Sequence, residues 1–263
     1  MAEYSLTQIN ARELQRRSPR HRIFDVIDHK LQQVIEVENL NSSGFYGLVL
    51  LLIPPVVSYK KQLCLYMMVR HLKPRRYIEV GSGLSTFYCS LAAERNAKEC
   101  HPLEITCIEP HPFEKLRTIP GIKLLEKEVQ DAETSLFQQL QENDILFIDS
   151  SHVLKIDGDV PFLYLEVLPS PNAGVVIHIH DVPFPYNIPY PPQLWVFGQE
   201  SPMLWNEAMV LQALLCFNDK FKITMSTPLI RYYDEGFLKS KIPFYETLEQ
   251  NPNTFSSIWL KRA

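Results

Sequence analysis

From Ile23 to Leu40, apolar side chains fall at Ile23, Ile27, Leu31, Val34 and Ile35, the three-to-four spacing of a helix with one buried face. A second helix is expected over about Ser58 to Arg70, ending before Pro74. Short, continuously apolar runs then alternate with helical stretches. The runs are Tyr77–Val80, Ile105–Ile108, Ile122–Leu125, Ile145–Ile148 and Gly174–His180; the helical stretches are about Ser85–Arg95, Ala132–Leu140 and Asp159–Leu168, the last capped by Asp159. Runs that are apolar throughout, rather than at every second position, read as strands covered on both faces. Further on, Trp205–Phe217 reads as a helix and Phe221–Met225 and Ser257–Leu260 as strands, while Thr227–Thr254 reads as a long connection packing near the site. The pattern predicts an α/β chain: a doubly wound, mostly parallel sheet at 61–263, preceded by an N-terminal helical cap at 1–60.

Composition narrows the class without changing the fold. The chain has 263 residues, 46% hydrophobic and 21% charged, enough to bury a sizeable core and inconsistent with a disordered chain or a disulfide-stapled miniature. Lys and Arg number 26 against 30 Asp and Glu, with no long block of one sign, so charge points to no nucleic-acid partner. Cys64, Cys89, Cys100, Cys107 and Cys216 form no C-x-x-C pair and read as reduced thiols. The N-terminal stretch lacks the apolar segment of a secretory signal. The longest apolar run, Leu48–Val57, is broken by Pro54 and Pro55, whereas a membrane span needs ~20 residues. A cytoplasmic protein without membrane contact is the expectation.

In an open parallel sheet, ligands bind beyond the carboxyl ends of the strands, so the residues directly after each strand carry the chemistry. After the first strand stands E-V-G-S-G-L-S-T, Glu79–Thr86. Gly81 and Gly83 permit a tight turn and close backbone approach. Thr86 occupies the place of the third glycine of the dinucleotide fingerprint, and Glu79 would repel a pyrophosphate. An acid at that position suits a cationic ligand such as S-adenosylmethionine (SAM), with its sulfonium and ammonium groups. Glu109, at the end of the second strand, can accept both ribose hydroxyls, and Gln130 and Asp131, after the third, can meet an adenine edge.

With D-I-L-F-I-D-S-S-H at Asp144–His152, V-V-I-H-I-H-D ending at Asp181 and W-N-E at Trp205–Glu207, the chain resembles the class I SAM-dependent methyltransferases over about Arg75 to Met225. That resemblance implies a Rossmann-like sheet of seven strands. It also implies SAM contacts at Glu79, Gly81, Ser82, Gly83, Ser85, Glu109, Gln130, Asp131, Asp149 and Ser150. A carboxylate after the fourth strand and an acidic group after the fifth is similar to metal-dependent O-methyltransferases acting on sugars and catechols. By that likeness Asp149, His180 and Asp181 are metal ligands, Asp149 also belongs to the catalytic set, and His152 is the catalytic base. An imidazole among the ligands moves preference from magnesium toward manganese, iron or zinc. The histidines also read as core-edge side chains with no metal, and His178, deeper in the strand, as structural.

The expected reaction is transfer of a methyl group to a hydroxyl of a small molecule, by a chain able to form homo-oligomers. Three rivals share parts of the pattern: a nicotinamide or flavin oxidoreductase, a metallohydrolase, and a SAM-binding partner subunit without catalysis. Proline is over-used, at 20 residues against 9 glycines. Pro183, Pro185, Pro189, Pro191, Pro192 and Pro202, interleaved with Phe184, Tyr186, Tyr190 and Trp195, read either as a stiff crossover or as an aromatic lid at 183–203.

Overall fold

The computed structural model describes residues 59–182, 205–241 and 256–263. The helix expected at 23–40, nearly all of the N-terminal cap and the proline-rich lid lie outside the described residues. Helix α1 (Tyr59–Leu72) leads into strand β1 (Arg76–Val80), helix α2 (Leu84–Lys98), and strands β2 (Glu104–Ile108) and β3 (Ile122–Leu125). Then follow α3 (Thr134–Gln138), β4 (Ile145–Ile148), α4 (Asp159–Phe162, continuing as a wider turn over Leu163–Val167) and β5 (Val176–Ile179). The described chain closes with α5 (Glu207–Leu215), β6 (Phe221–Ser226), α6 (Thr227–Tyr233), α7 (Glu235–Lys241) and β7 (Ile258–Arg262).

The seven strands form one sheet in the order β3-β2-β1-β4-β5-β7-β6. All neighbours are parallel except β7, which runs antiparallel between β5 and β6. Strand alternation divides the core in two. Tyr77, Ile105, Cys107, Ile145, Phe147, Val176 and Trp259 pack with Leu65, Val69, Cys89 and Ala92 of α1 and α2. Ile78, Val80, Ile108, Leu146, Ile148, Ile177 and Ile179 pack on the opposite face with Val160, Leu163, Val167 and Leu211 of α4, its continuation and α5. Both faces are covered, as the unbroken apolar runs require. Asp144 fixes the entry to the sheet: one carboxyl oxygen accepts the N–H groups of Arg75 and Arg76 at 2.9 Å each, and the other accepts that of Gln141 at 2.9 Å.

Three expectations are corrected. The helix expected at Ala132–Leu140 shortens to α3, because Ala132 and Glu133 are extended behind a tight turn at Val129–Asp131. The connection at Thr227–Thr254 begins with two helices, α6 and α7; Ser226 caps the first by accepting the Leu229 N–H at 3.4 Å, with a proline in the opening turn. Asp159 is the first residue of α4 rather than its cap, which is Gly158. Among the described residues, no helix is long and apolar enough to cross a membrane.

Candidate active site

The sheet's switch point lies between β1 and β4, where successive connections run toward opposite edges. Register places the residues after the strands side by side: Val80 pairs with Ile148, and Ile148 with Ile179, so Gly81, Asp149 and His180 follow in a row. The Asp149 N–H donates to Val80 O at 2.9 Å, and the His180 N–H to Ile148 O at 2.8 Å. Gly81 has φ +79°, and a Cβ there would lie 2.0 Å from the Asp149 carbonyl oxygen. No other residue fits that turn. Gly83 is different: its backbone is extended, and a Cβ would meet nothing within 4 Å. The turn therefore presents an open face at Gly83.

Glu79 is fully buried and points to the face that carries α2. Its carboxyl accepts the Ser85 hydroxyl and, at 2.7 Å, the Thr86 hydroxyl, with the Cys107 thiol 3.7 Å away. Burial pushes its pKa up to about 8 against these stabilising bonds. Glu79 thus braces the start of α2 from beneath the turn. Glu109 locks the turn from the side, accepting the Ser82 N–H at 3.1 Å and the His111 N–H at 2.9 Å. Gln130 donates to Asp157 O at 3.2 Å, and its buried Oε1 lacks a hydrogen-bond partner among the described residues. Asp131 is exposed.

Beyond β4 and β5, Asp149, His152, His180 and Asp181 converge. His152 Nε2 lies 3.3 Å from Asp149 Oδ1, and His180 Nδ1 lies 3.4 Å from that same oxygen and 3.5 Å from Asp181 Oδ2. Asp149, His152 and Asp181 offer ligand atoms that all lie within 4.8 Å of one another. The imidazole of this set belongs to His152 rather than to His180, with His180 at ion-pair distance from both carboxyls. His152 and Asp181 both adopt left-handed backbone conformations, φ +61° and +52°, which a non-glycine residue holds only where its surroundings impose them. The Ser256 hydroxyl donates to Asp181 at 2.9 Å.

The charges of this cluster support one another. Burial opposes ionisation of Asp149, yet the His180 charge and bonds from His152 and His180 hold it below the usual carboxylate range. Burial likewise favours neutral imidazoles, but bonds to Asp149 and Glu207 raise His152 to about 10, and Asp149, followed by Asp181, raises His180 to about 9. His178 is not part of this group. Its ring stacks on Trp259 at 4.0 Å and meets Phe147 edge-on at 4.8 Å, inside the core.

Sequence reasoning gave no role to Glu207, which is 1% exposed at the start of α5. Its Oε2 lies 2.7 Å from His152 Nδ1 and accepts the Ser150 hydroxyl at 2.9 Å. Ser150, expected at the cofactor, spends its hydroxyl on this link. Asp159 ties down the neighbouring Ser151 through its N–H and hydroxyl, 2.6 Å each. The visible signal was the W-N-E triplet itself, polar residues placed directly before an apolar helix.

Residues 78–182 match the family model of a methyltransferase domain. An uncharacterized protein of Archaeoglobus fulgidus is 34% identical over 88 residues, 32% of this chain, which spans 38% of that relative's length. The O-methyltransferase TomG of Streptomyces achromogenes, involved in tomaymycin synthesis and solved with SAM, superposes with a TM-score of 0.47 at 12% identity, over 79% of this chain and 81% of that one. An O-methyltransferase of Bacillus cereus in complex with SAH gives 0.46 at 12% identity, over 90% of each chain.

Proposed function

We propose, from the match of residues 78–182 to the family model of a methyltransferase domain, that the protein is a SAM-dependent enzyme that methylates a hydroxyl group of a small molecule such as a sugar, a phenol or a natural product. The observation that carries this reading is the direct abutment of the Gly81 turn and the Asp149–His152 loop, one backbone carbonyl filling the space of the missing Cβ. A ligand laid along the turn then ends beside a carboxyl and an imidazole.

The chain fits the cofactor at three points. Gly83 leaves room for a backbone-hugging ligand, Glu109 stands over the turn with the geometry of a hydroxyl acceptor, and the Gln130 Oε1 is a buried acceptor suited to an exocyclic amine. SAM supplies a methyl group on a positively charged sulfur. What the protein adds is alignment, since an in-line displacement is accelerated chiefly by holding acceptor and methyl ~3 Å apart.

An acceptor hydroxyl must also lose its proton, and His152 is the group placed to take it. Between two carboxyls it holds its own proton at neutral pH, so it becomes a base only when Asp149 turns to another positive charge. The carboxyls of Asp149 and Asp181 would hold a divalent cation, magnesium, manganese or iron, that would lower the pKa of an acceptor hydroxyl, leaving His152 Nε2 for the proton.

The test is calorimetry with SAM, followed by a hydroxyl-acceptor panel read as S-adenosylhomocysteine release. His152→Ala is expected to bind SAM within about twofold of the parent and to lose turnover by the ~10²–10⁴-fold typical of a missing general base. EDTA is expected to lower the rate and manganese or magnesium to restore it. Equal turnover of mutant and parent rules out the base, and full activity in a metal-stripped preparation rules out the cation.

A further inference from the structure

The segment Trp205–Glu207 clasps the loop that carries His152 through six contacts. The backbone N–H groups of Asn206 and Glu207 both donate to the His152 carbonyl, at 2.9 and 3.2 Å. The Asn206 side-chain oxygen accepts the Leu154 N–H at 2.6 Å, and the Trp205 ring lies 4.4 Å from the imidazole. Glu207 completes the clasp, its Oε2 engaging His152 Nδ1 and the Ser150 hydroxyl while that hydroxyl accepts the His152 N–H at 3.1 Å.

This arrangement does more than close a loop. An imidazole has two nitrogens, and fixing one of them with an acceptor decides which way the other points. Glu207 engages Nδ1 from the α5 side, so Nε2 is directed to Asp149 and the mouth of the Gly81 turn. The loop backbone is left-handed at His152, a conformation that does not hold itself, and the clasp supplies the bonds that impose it. We infer that Glu207 is a positioning residue for the methyl-transfer site, holding the His152 imidazole so that Nε2 alone faces the acceptor.

The inference rests on the proposed methyltransferase reading, and its test separates the two. Glu207→Ala removes the acceptor; Glu207→Gln keeps an oxygen of the same reach for the Nδ1 proton. Each variant is compared with the parent for thermal midpoint, SAM affinity by calorimetry, kcat and KM for the acceptor, and the ¹⁵N-resolved Nδ1–H resonance of His152. In folded Glu207→Ala, the Nδ1–H resonance is expected to vanish and kcat to fall at least ~100-fold, with SAM affinity and acceptor KM within about threefold, as for loss of an orienting group behind a base. Glu207→Gln is expected to keep the resonance and return kcat to within about tenfold of the parent.

Should Glu207→Ala not fold, Glu207→Gln still decides, through its resonance and its kcat-against-KM split. Unchanged kcat and resonance in Glu207→Ala overturn the assignment. So does a kcat loss that merely follows lost SAM binding or lost folded protein, or an equal loss in both variants. Failure of the methyltransferase reading shows separately, as a parent that neither binds SAM nor transfers methyl while the His152 resonance still depends on Glu207.

Discussion

Glu79 makes a measurable demand on the fold. It is fully buried, and burial raises its pKa from 4.5 to about 8. Between those values the native state keeps a proton that the unfolded chain has released, so stability falls as pH rises, with nothing lost below about 4.5 and the full cost present above about 8. At ~1.4 kcal/mol per pK unit, native stability drops by roughly 3–4 kcal/mol between pH 5 and pH 8 on account of this group. Glu79→Gln is neutral at every pH and still offers an oxygen to the Ser85 and Thr86 hydroxyls. The amide's own hydrogens add a cost that does not change with pH. His152 and His180, raised to about 10 and about 9, also lose stabilisation as pH climbs, but they do so in parent and variant alike. The difference between the two proteins therefore isolates Glu79. Guanidinium unfolding at pH 5, 6, 7 and 8 should show the variant gaining on the parent by roughly 1 kcal/mol per pH unit. A difference that stays constant within about 0.5 kcal/mol over that range would refute the argument.

Two other substitutions probe the frame of the site. Gly81→Ala puts a Cβ 2.0 Å from the Asp149 carbonyl at a backbone φ of +79°, so the turn and the β4 loop must separate. Calorimetry is expected to show SAM binding weakened at least tenfold even where circular dichroism shows a folded chain, and parent-like binding would contradict it. Asp144→Ala leaves three backbone N–H groups at the head of the sheet without their acceptor. Unfolding curves should show a loss of about 2–4 kcal/mol, given ~1–3 kcal/mol for a buried donor left unpaired and partial access of water. A change below about 1 kcal/mol would mean that the β1 entry is held by other contacts.

The sheet was legible because its strands are short, apolar on both sides and separated by helix-period stretches; all seven strands fall within two residues of their expected ends. β5 starts two residues later than expected, since Gly174 at φ +87° belongs to the turn that precedes it. The same reading failed where polarity stood in for geometry. Thr227–Thr254 reads only as a long connection between two strands, yet Ser226 caps a helix, Pro228 stands in its opening turn and α6 follows. At the site, the acids after the strands were visible one by one, and their partners were not. Asp144 in the D-I-L-F-I-D motif and Glu207 in W-N-E carry the same residue types as solvent-facing loops. Only the crossing of β4 toward α5, 55 residues apart in sequence, shows that Glu207 meets His152.

The contact between Gly81 and Asp149 joins the β1 turn and the β4 loop into one unit. Glu79 pairs in register with Cys107 on one side and Phe147 on the other, which sends its side chain to the α2 face and leaves Gly81, two positions later, at the mouth of the sheet. There the β4 chain passes so close that its carbonyl occupies the glycine's missing side-chain volume. Asp149 in turn contacts His152 and His180, whose nitrogens lie 3.3 and 3.4 Å from its Oδ1. Under the proposed reaction, alignment of methyl donor and base would depend on backbone packing rather than on flexible side chains. That dependence suits a reaction whose rate is set by approach to ~3 Å along one line.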